Sequence, residues 1–302
     1  MNPKSLSRIY IGLAVLFIAA LAVGTFFDLT IAETMYLKDN RAAMIVGFLG
    51  FLLFFSICTI FLGVLCRQLL SSGKGRRFKI LIVATFSYLY ASTSILIGAG
   101  ILNDQLFADV FSCPVTFISC FLVGTPVFVP LFFLGMHANG NRYDKRVVRK
   151  ALGLVVIMTL VFLMSTYMNC KIIRPHFRLL ENSSGFEPWY HLKSNGKLFM
   201  SIPDLIACHS GSFFSGHAMY GILFLSLFPS LSLVFPKLEG KEKTLMIIGG
   251  GIGLLVIISR MITGDNYLSD ISLGAISAIK MSFSYCNLSK RKLFHATKKT
   301  AR

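Results

Sequence analysis

Hydrophobic residues in this chain fall in long runs parted by short polar connections. A run of roughly 20 residues can cross about 30 Å of hydrocarbon as a helix, which satisfies its own backbone polar groups where no water is available. Eight such runs occur, at about 9–27, 42–66, 80–101, 114–136, 151–169, 212–234, 244–262 and 271–287. Arg260 ends the seventh and Lys280 interrupts the eighth. The pattern predicts an all-α integral membrane protein of eight transmembrane helices. The first run follows Lys4 and Arg8 as a signal peptide would, but no small-x-small cleavage site followed by a soluble domain appears, so it is read as a retained span.

Composition agrees: 55% of the 302 residues are hydrophobic and 14% charged, far from the balance of a soluble domain. The formal charge of +17 changes the picture only through where the cations sit. Most of the 30 lysines and arginines collect in alternate connections: Lys4 and Arg8, Arg67 to Lys79, Arg142 to Lys150, Lys237 to Lys243, and the tail from Lys290. The positive-inside rule then puts both termini in the cytoplasm and the cation-poor connections outside the cell membrane. A nucleic-acid surface is the weaker account, since spans interrupt the cations and no aromatic platform is interleaved with them. The seven cysteines show no metal-ligand spacing, so no metal and no cofactor is expected. Cys170 and Cys208 flank one outward loop, where a disulfide and simple apolar filling are both open readings.

That loop, from Lys171 to about Gly211, is long and mixed in a chain of otherwise terse connections, and such loops are more often functional than idle. It begins with Arg174 beside Pro175. It ends at Ser215-Gly216-His217, where the unpaired amides of a helix N-terminus favour an anion. Arg260 closes the seventh run on the same predicted face. Singly, such an arginine snorkels to the headgroups and such a histidine is a polar anchor. Together and in this order they point to a phosphate, whose oxygens fit guanidinium forks and the close backbone approach of a glycine.

These residues resemble the signature of the type 2 phosphatidic acid phosphatases, membrane lipid phosphate phosphatases related to vanadium haloperoxidases. The three-part signature survives as Arg174-Pro175, as Ser215-Gly216-His217 with Phe214 at a frequent proline position, and as Ser259-Arg260 with Asp270. "FDLTIAETMY" after the first run is similar to a stretch in bacterial members. The resemblance is close over 165–275 and loose elsewhere. It implies a six-helix core in 80–287, with 1–79 as an appended helix pair and 288–302 as a basic tail. It also implies a lipid phosphate as partner, such as phosphatidate or an isoprenyl pyrophosphate, with membrane lipids around it.

Two positions depart. Tyr167 stands where the family has a lysine, which leaves a hydroxyl donor in place of a cation in the phosphate-binding set. Asn266 stands where the family's histidine takes up the phosphoryl group, and an amide nitrogen delocalised into its carbonyl cannot do so. By the resemblance, Arg174, Ser215, Gly216 and Arg260 bind phosphoryl oxygens, His217 is the general acid, and Asp270 orients the nucleophile. Helical spacing would let Asn266 donate to Asp270. The implied protein binds a lipid phosphate with little or no phosphatase activity. Attack by water, or by Asp265, His176 or His209, stays open as an alternative, although Asp265 reads more simply as a solvated turn carboxylate. A lipid carrier or interaction protein is the other alternative; the Gly run at 249–253 reads as close helix packing rather than as a transporter's broken helix.

Overall fold

The computed structural model describes residues 3–73, 75–102, 117–138, 143–180, 185–191, 193–194 and 211–300. Among them are eight α-helices: α1 (Pro3–Met35), α2 (Arg41–Leu70), α3 (Arg76–Leu102), α4 (Phe117–Ala138), α5 (Lys145–Lys171), α6 (Gly216–Ser230), α7 (Glu242–Ile262) and α8 (Leu268–Thr300). Each predicted apolar run lies within or largely overlaps one of them. Local chemistry fixes several starts: the side chains of Asn40, Asp144 and Ser215 accept backbone N–H groups of Ala43, Arg146 and Ala218 at 3.0, 2.7 and 3.2 Å.

Helices α1 to α5 and α7 are long and apolar enough to cross a membrane, and α6 is so together with the 3-10 turn that extends it to Leu233. The eighth is long, but Lys280 and a series of serines lower its hydropathy. Its residues 271–279 are mostly buried against protein, and a helix enclosed by protein has less need of an apolar face for lipid.

The centre of the bundle is α2: 56% of its apolar window is buried, against 17% for α1 and for α3. Helices α4, α5, α6 and α7 all pack on it, while α1 packs along α8. Helices α3 and α4 pack on each other and on α2. In α2, Phe54, Phe61 and Val64 are sealed from solvent, and in α1 Asp28 finds its partners on α8.

Close approach of α6 and α7 rests on small residues. A Cβ on Gly253 would sit 2.2 Å from the Gly221 carbonyl oxygen, and one on Gly249 would sit 2.4 Å from that of Phe224. The Gly run therefore serves helix packing, as its spacing predicts.

Beyond α5 the chain forms a two-residue antiparallel ribbon, β1 (Ile172–Ile173) with β2 (Lys193–Ser194), pairing Ile172 with Ser194 and Ile173 with Lys193. The ribbon draws together the ends of the first part of the long loop. Cys208, His209 and the rest of 195–210 lie outside the described residues.

Candidate functional site

Three chain segments meet at one end of the bundle: the Arg174–Leu180 stretch, the start of α6, and the turn between α7 and α8. The turn sets the geometry. Gly264 takes φ +67°, its N–H bonds to the Met261 carbonyl, and the Asp265 N–H reaches back to the Arg260 carbonyl at 3.0 Å. This is a Schellman ending, which needs a glycine at the left-handed position. The helix therefore stops before Asn266, and α8 begins only at Leu268.

This turn overturns the expected contact between Asn266 and Asp270. The two residues are not on one helical face. Asn266 instead donates from Nδ2 to the Ser212 carbonyl at 2.6 Å and accepts from the Ser215 hydroxyl on Oδ1 at 3.1 Å. Asp270 sits at the third position of α8 and accepts the Tyr267 backbone N–H at 3.1 Å, half of a capping box.

The other Asp270 oxygen pairs with Arg174, which is fully buried. The Arg174 guanidinium also reaches Asp28 of α1 at 2.9 Å, the Ser269 hydroxyl at 2.9 Å and the Glu187 carbonyl at 3.0 Å, and it lies 4.0 Å from the Tyr267 ring centroid. Asp28 in turn accepts the Ser269 backbone N–H at 2.9 Å and the Ser269 hydroxyl. One guanidinium thus holds two buried carboxylates, a cluster of net charge −1. Burial pushes the Asp270 carboxyl up to about 6, against the pull of Arg174.

Arg260 belongs to a separate cluster. It pairs with Asp265 at 2.9 Å, and Arg178 approaches the other Asp265 oxygen at 2.5 Å. The Thr263 hydroxyl donates to the same carboxylate at 2.6 Å. Asp265 is only 4% exposed, so it is not the solvated turn carboxylate that its place beside Gly264 implied. Burial alone would raise its carboxyl, but Arg260 and Arg178 hold it below the usual carboxylate range. His176 anchors this cluster. Burial holds its imidazole below the usual histidine pKa, and its Nδ1 donates to the Asp265 carbonyl, which can only accept, at 2.5 Å.

Ser215 and Gly216 lie at the start of α6, with Ser215 bonded to Asn266 as described. A Cβ on Gly216 would meet the Ser165 hydroxyl at 3.1 Å, so that glycine also allows α5 to approach. His217 stands in the first turn of α6, its ring 5.8 Å from that of Tyr220 and within electrostatic reach of Arg260 and Asp265. Tyr167 is 40% exposed and sits beneath the Lys171 ammonium, 5.7 Å from its ring centroid, outside the buried set. The fold therefore brings Ser215, His217, Arg260 and Asn266 to one end of the bundle, gives Arg174 and Asp270 to a neighbouring ion cluster, and leaves Tyr167 aside.

The sequence reading missed Asp28, Arg178, Ser212 and Ser269. A carboxylate within the first apolar helix was a usable signal, because an ionisable group there needs a partner. Arg178, four residues past Arg174, carried no signal beyond its charge. Among the described residues, no group of three His, Cys, Asp or Glu side chains could hold a metal ion.

A helical multi-pass membrane protein with this set of residues at one end of its bundle has a counterpart among known families. Residues 146–293 match the model of the PAP2 superfamily, and the chain carries a PAP2 superfamily domain over that stretch, which spans α5 to α8. No curated protein and no solved structure matches the chain.

Proposed function

We propose that this protein binds the phosphate headgroup of a membrane lipid at the outer face of the cell membrane and has lost the phosphatase chemistry of its superfamily. Asn266 carries the reading. It occupies the phosphoryl-accepting position, and both ends of its amide are engaged, by Ser215 and by the Ser212 carbonyl. An amide so placed has no free lone pair to attack phosphorus. Asp270, whose expected duty is to orient an imidazole, is held by Arg174 and the Tyr267 amide instead. What remains is Ser215, His217 and two guanidinium groups around Asp265, a set suited to holding an anion.

Purified protein supplied with phosphatidate and with an isoprenyl pyrophosphate tests this reading. Loss of a nucleophile from a coupled set typically costs on the order of a millionfold in turnover, so phosphate release should not exceed background. Robust release by the unmodified chain, abolished by His217→Ala, would overturn it.

The orientation rests on the distribution of cations. A cysteine placed at exposed Lys193 should react with an impermeant reagent on intact cells, and one at exposed Lys237 only after permeabilisation. The reverse pattern would invert the topology.

A further inference from the structure

Two guanidinium groups face a single carboxylate at the α7–α8 turn, and their charges do not cancel. Arg178 and Arg260 approach opposite oxygens of Asp265 at 2.5 and 2.9 Å, with the Thr263 hydroxyl on the second oxygen. A carboxylate gripped in this way has the surroundings of an oxyanion ligand, and the cluster keeps a net charge of +1. The cation set also has spare donor capacity: Arg260 Nε is buried and finds no acceptor among the described residues. A ligand has access, since the side chains of Arg178 and Arg260 are 25% and 17% exposed. Arg174 differs on every count. Its side chain is 0% exposed, its donors are committed, and its two carboxylates give the cluster a net charge that repels an anion.

We infer that the phosphate site of this protein is centred on Arg178 and Arg260 rather than on Arg174, with Asp265 as a built-in anion that an incoming phosphate monoester displaces. The inference rests on the proposed binding of a lipid phosphate and puts Arg178 in the place that the family signature gives to Arg174. A phosphate monoester offers three oxygens and nearly two charges in place of two oxygens and one charge, so it can use the Arg260 Nε that the carboxylate leaves unmet. The Asp265 carboxylate sets the threshold for entry, and weak anions do not displace it.

The test uses the full-length protein in phosphatidylcholine nanodiscs, titrated with dioctanoyl phosphatidate and separately with inorganic phosphate, as wild type, Asp265→Asn and Arg178→Gln. Asp265→Asn should tighten phosphatidate binding by about tenfold or more and Arg178→Gln should weaken it by a similar factor, the usual weight of a charge-assisted hydrogen bond. Size-exclusion profiles report whether each variant is folded, and Arg178→Lys serves if Arg178→Gln aggregates, with a smaller weakening expected. Binding by Asp265→Asn where wild type shows none also supports the displaced carboxylate. Inorganic phosphate binding as tightly as the lipid keeps the site and removes the lipid as its source. Wild-type binding that neither variant alters overturns the inference and leaves the lipid-phosphate reading standing. No binding by any form overturns both.

Discussion

Arg174 and Arg260 offer the same guanidinium at one end of the same bundle, yet their surroundings give them opposite duties. Arg174 is sealed and shared by two carboxylates, one from α1 and one from α8. Arg260 shares one carboxylate with a second arginine and remains partly open. In the first cluster the arginine is the minority charge, and its task is to neutralise. In the second the carboxylate is the minority charge, and cationic capacity is left over. A motif residue's role therefore follows from the count and burial of its neighbours, and the deciding neighbours here, Asp28 and Arg178, lie outside the motif.

The sharpest way to break this comparison is to remove Arg174. Arg174→Gln strands Asp28 and Asp270 without their cation, and loss of one partner of a buried pair costs about 3–5 kcal/mol. Thermal unfolding in detergent should show a large drop, partly recovered by adding Asp28→Asn. An Arg174→Gln protein as stable as wild type would show that the cluster does not hold α1 to α8.

The two clusters should also respond to pH with opposite signs. The Asp270 carboxyl is raised to about 6 by burial, so the folded protein holds its proton more tightly than the unfolded chain does. That contribution, on the order of 3 kcal/mol, is complete below about pH 4 and lost as pH rises through about 6. Asp265 is depressed by Arg260 and Arg178, so its contribution is present above about pH 4 and lost as pH falls through the lowered value. Stability profiles of Asp270→Asn and Asp265→Asn should lose the neutral-side and acid-side slopes respectively. Slopes of the same sign would merge the clusters into one.

A smaller effect is expected at the turn that presents Asp265. Gly264→Ala places a Cβ at φ +67°, 2.8 Å from the Tyr36 ring, and the left-handed conformation alone costs roughly 1–2 kcal/mol. Chemical denaturation should register that loss, and unchanged stability would mean the turn can relax. Smallest of all is the cost of Arg178→Gln to folding. Its ion pair is partly exposed, and such pairs contribute about 1 kcal/mol or less. A drop as large as that for Arg174→Gln would make Arg178 structural too.

The helices were legible because lipid imposes a strong pattern: a span must be long, apolar and continuous. Reading α8 was harder, since a helix enclosed by protein escapes that demand, and serines such as Ser269 and Ser272 replace apolar residues there. The order of the motifs and the lost histidine at Asn266 were also legible, because they are matters of residue identity. Partner choice was not. The Schellman turn at Gly264 ends the helix before Asn266, turns Asp265 inward and frees Asp270 for Arg174. A single glycine removed the expected contact between Asn266 and Asp270 and buried a carboxylate expected in solvent, and spacing rules that assume a continuous helix could not show it. The central place of α2 was hidden for a related reason, since hydropathy does not tell a helix that faces lipid from one that faces other helices.

The most direct measurement of the divided roles is an experimental structure of the full-length protein in nanodiscs with dioctanoyl phosphatidate. The account predicts phosphate density between Arg178 and Arg260, the Asp265 carboxylate moved aside, and the Arg174 pairs with Asp28 and Asp270 unbroken. Phosphate density on Arg174, with Asp270 swung away and Asp265 still between the other two arginines, would contradict it.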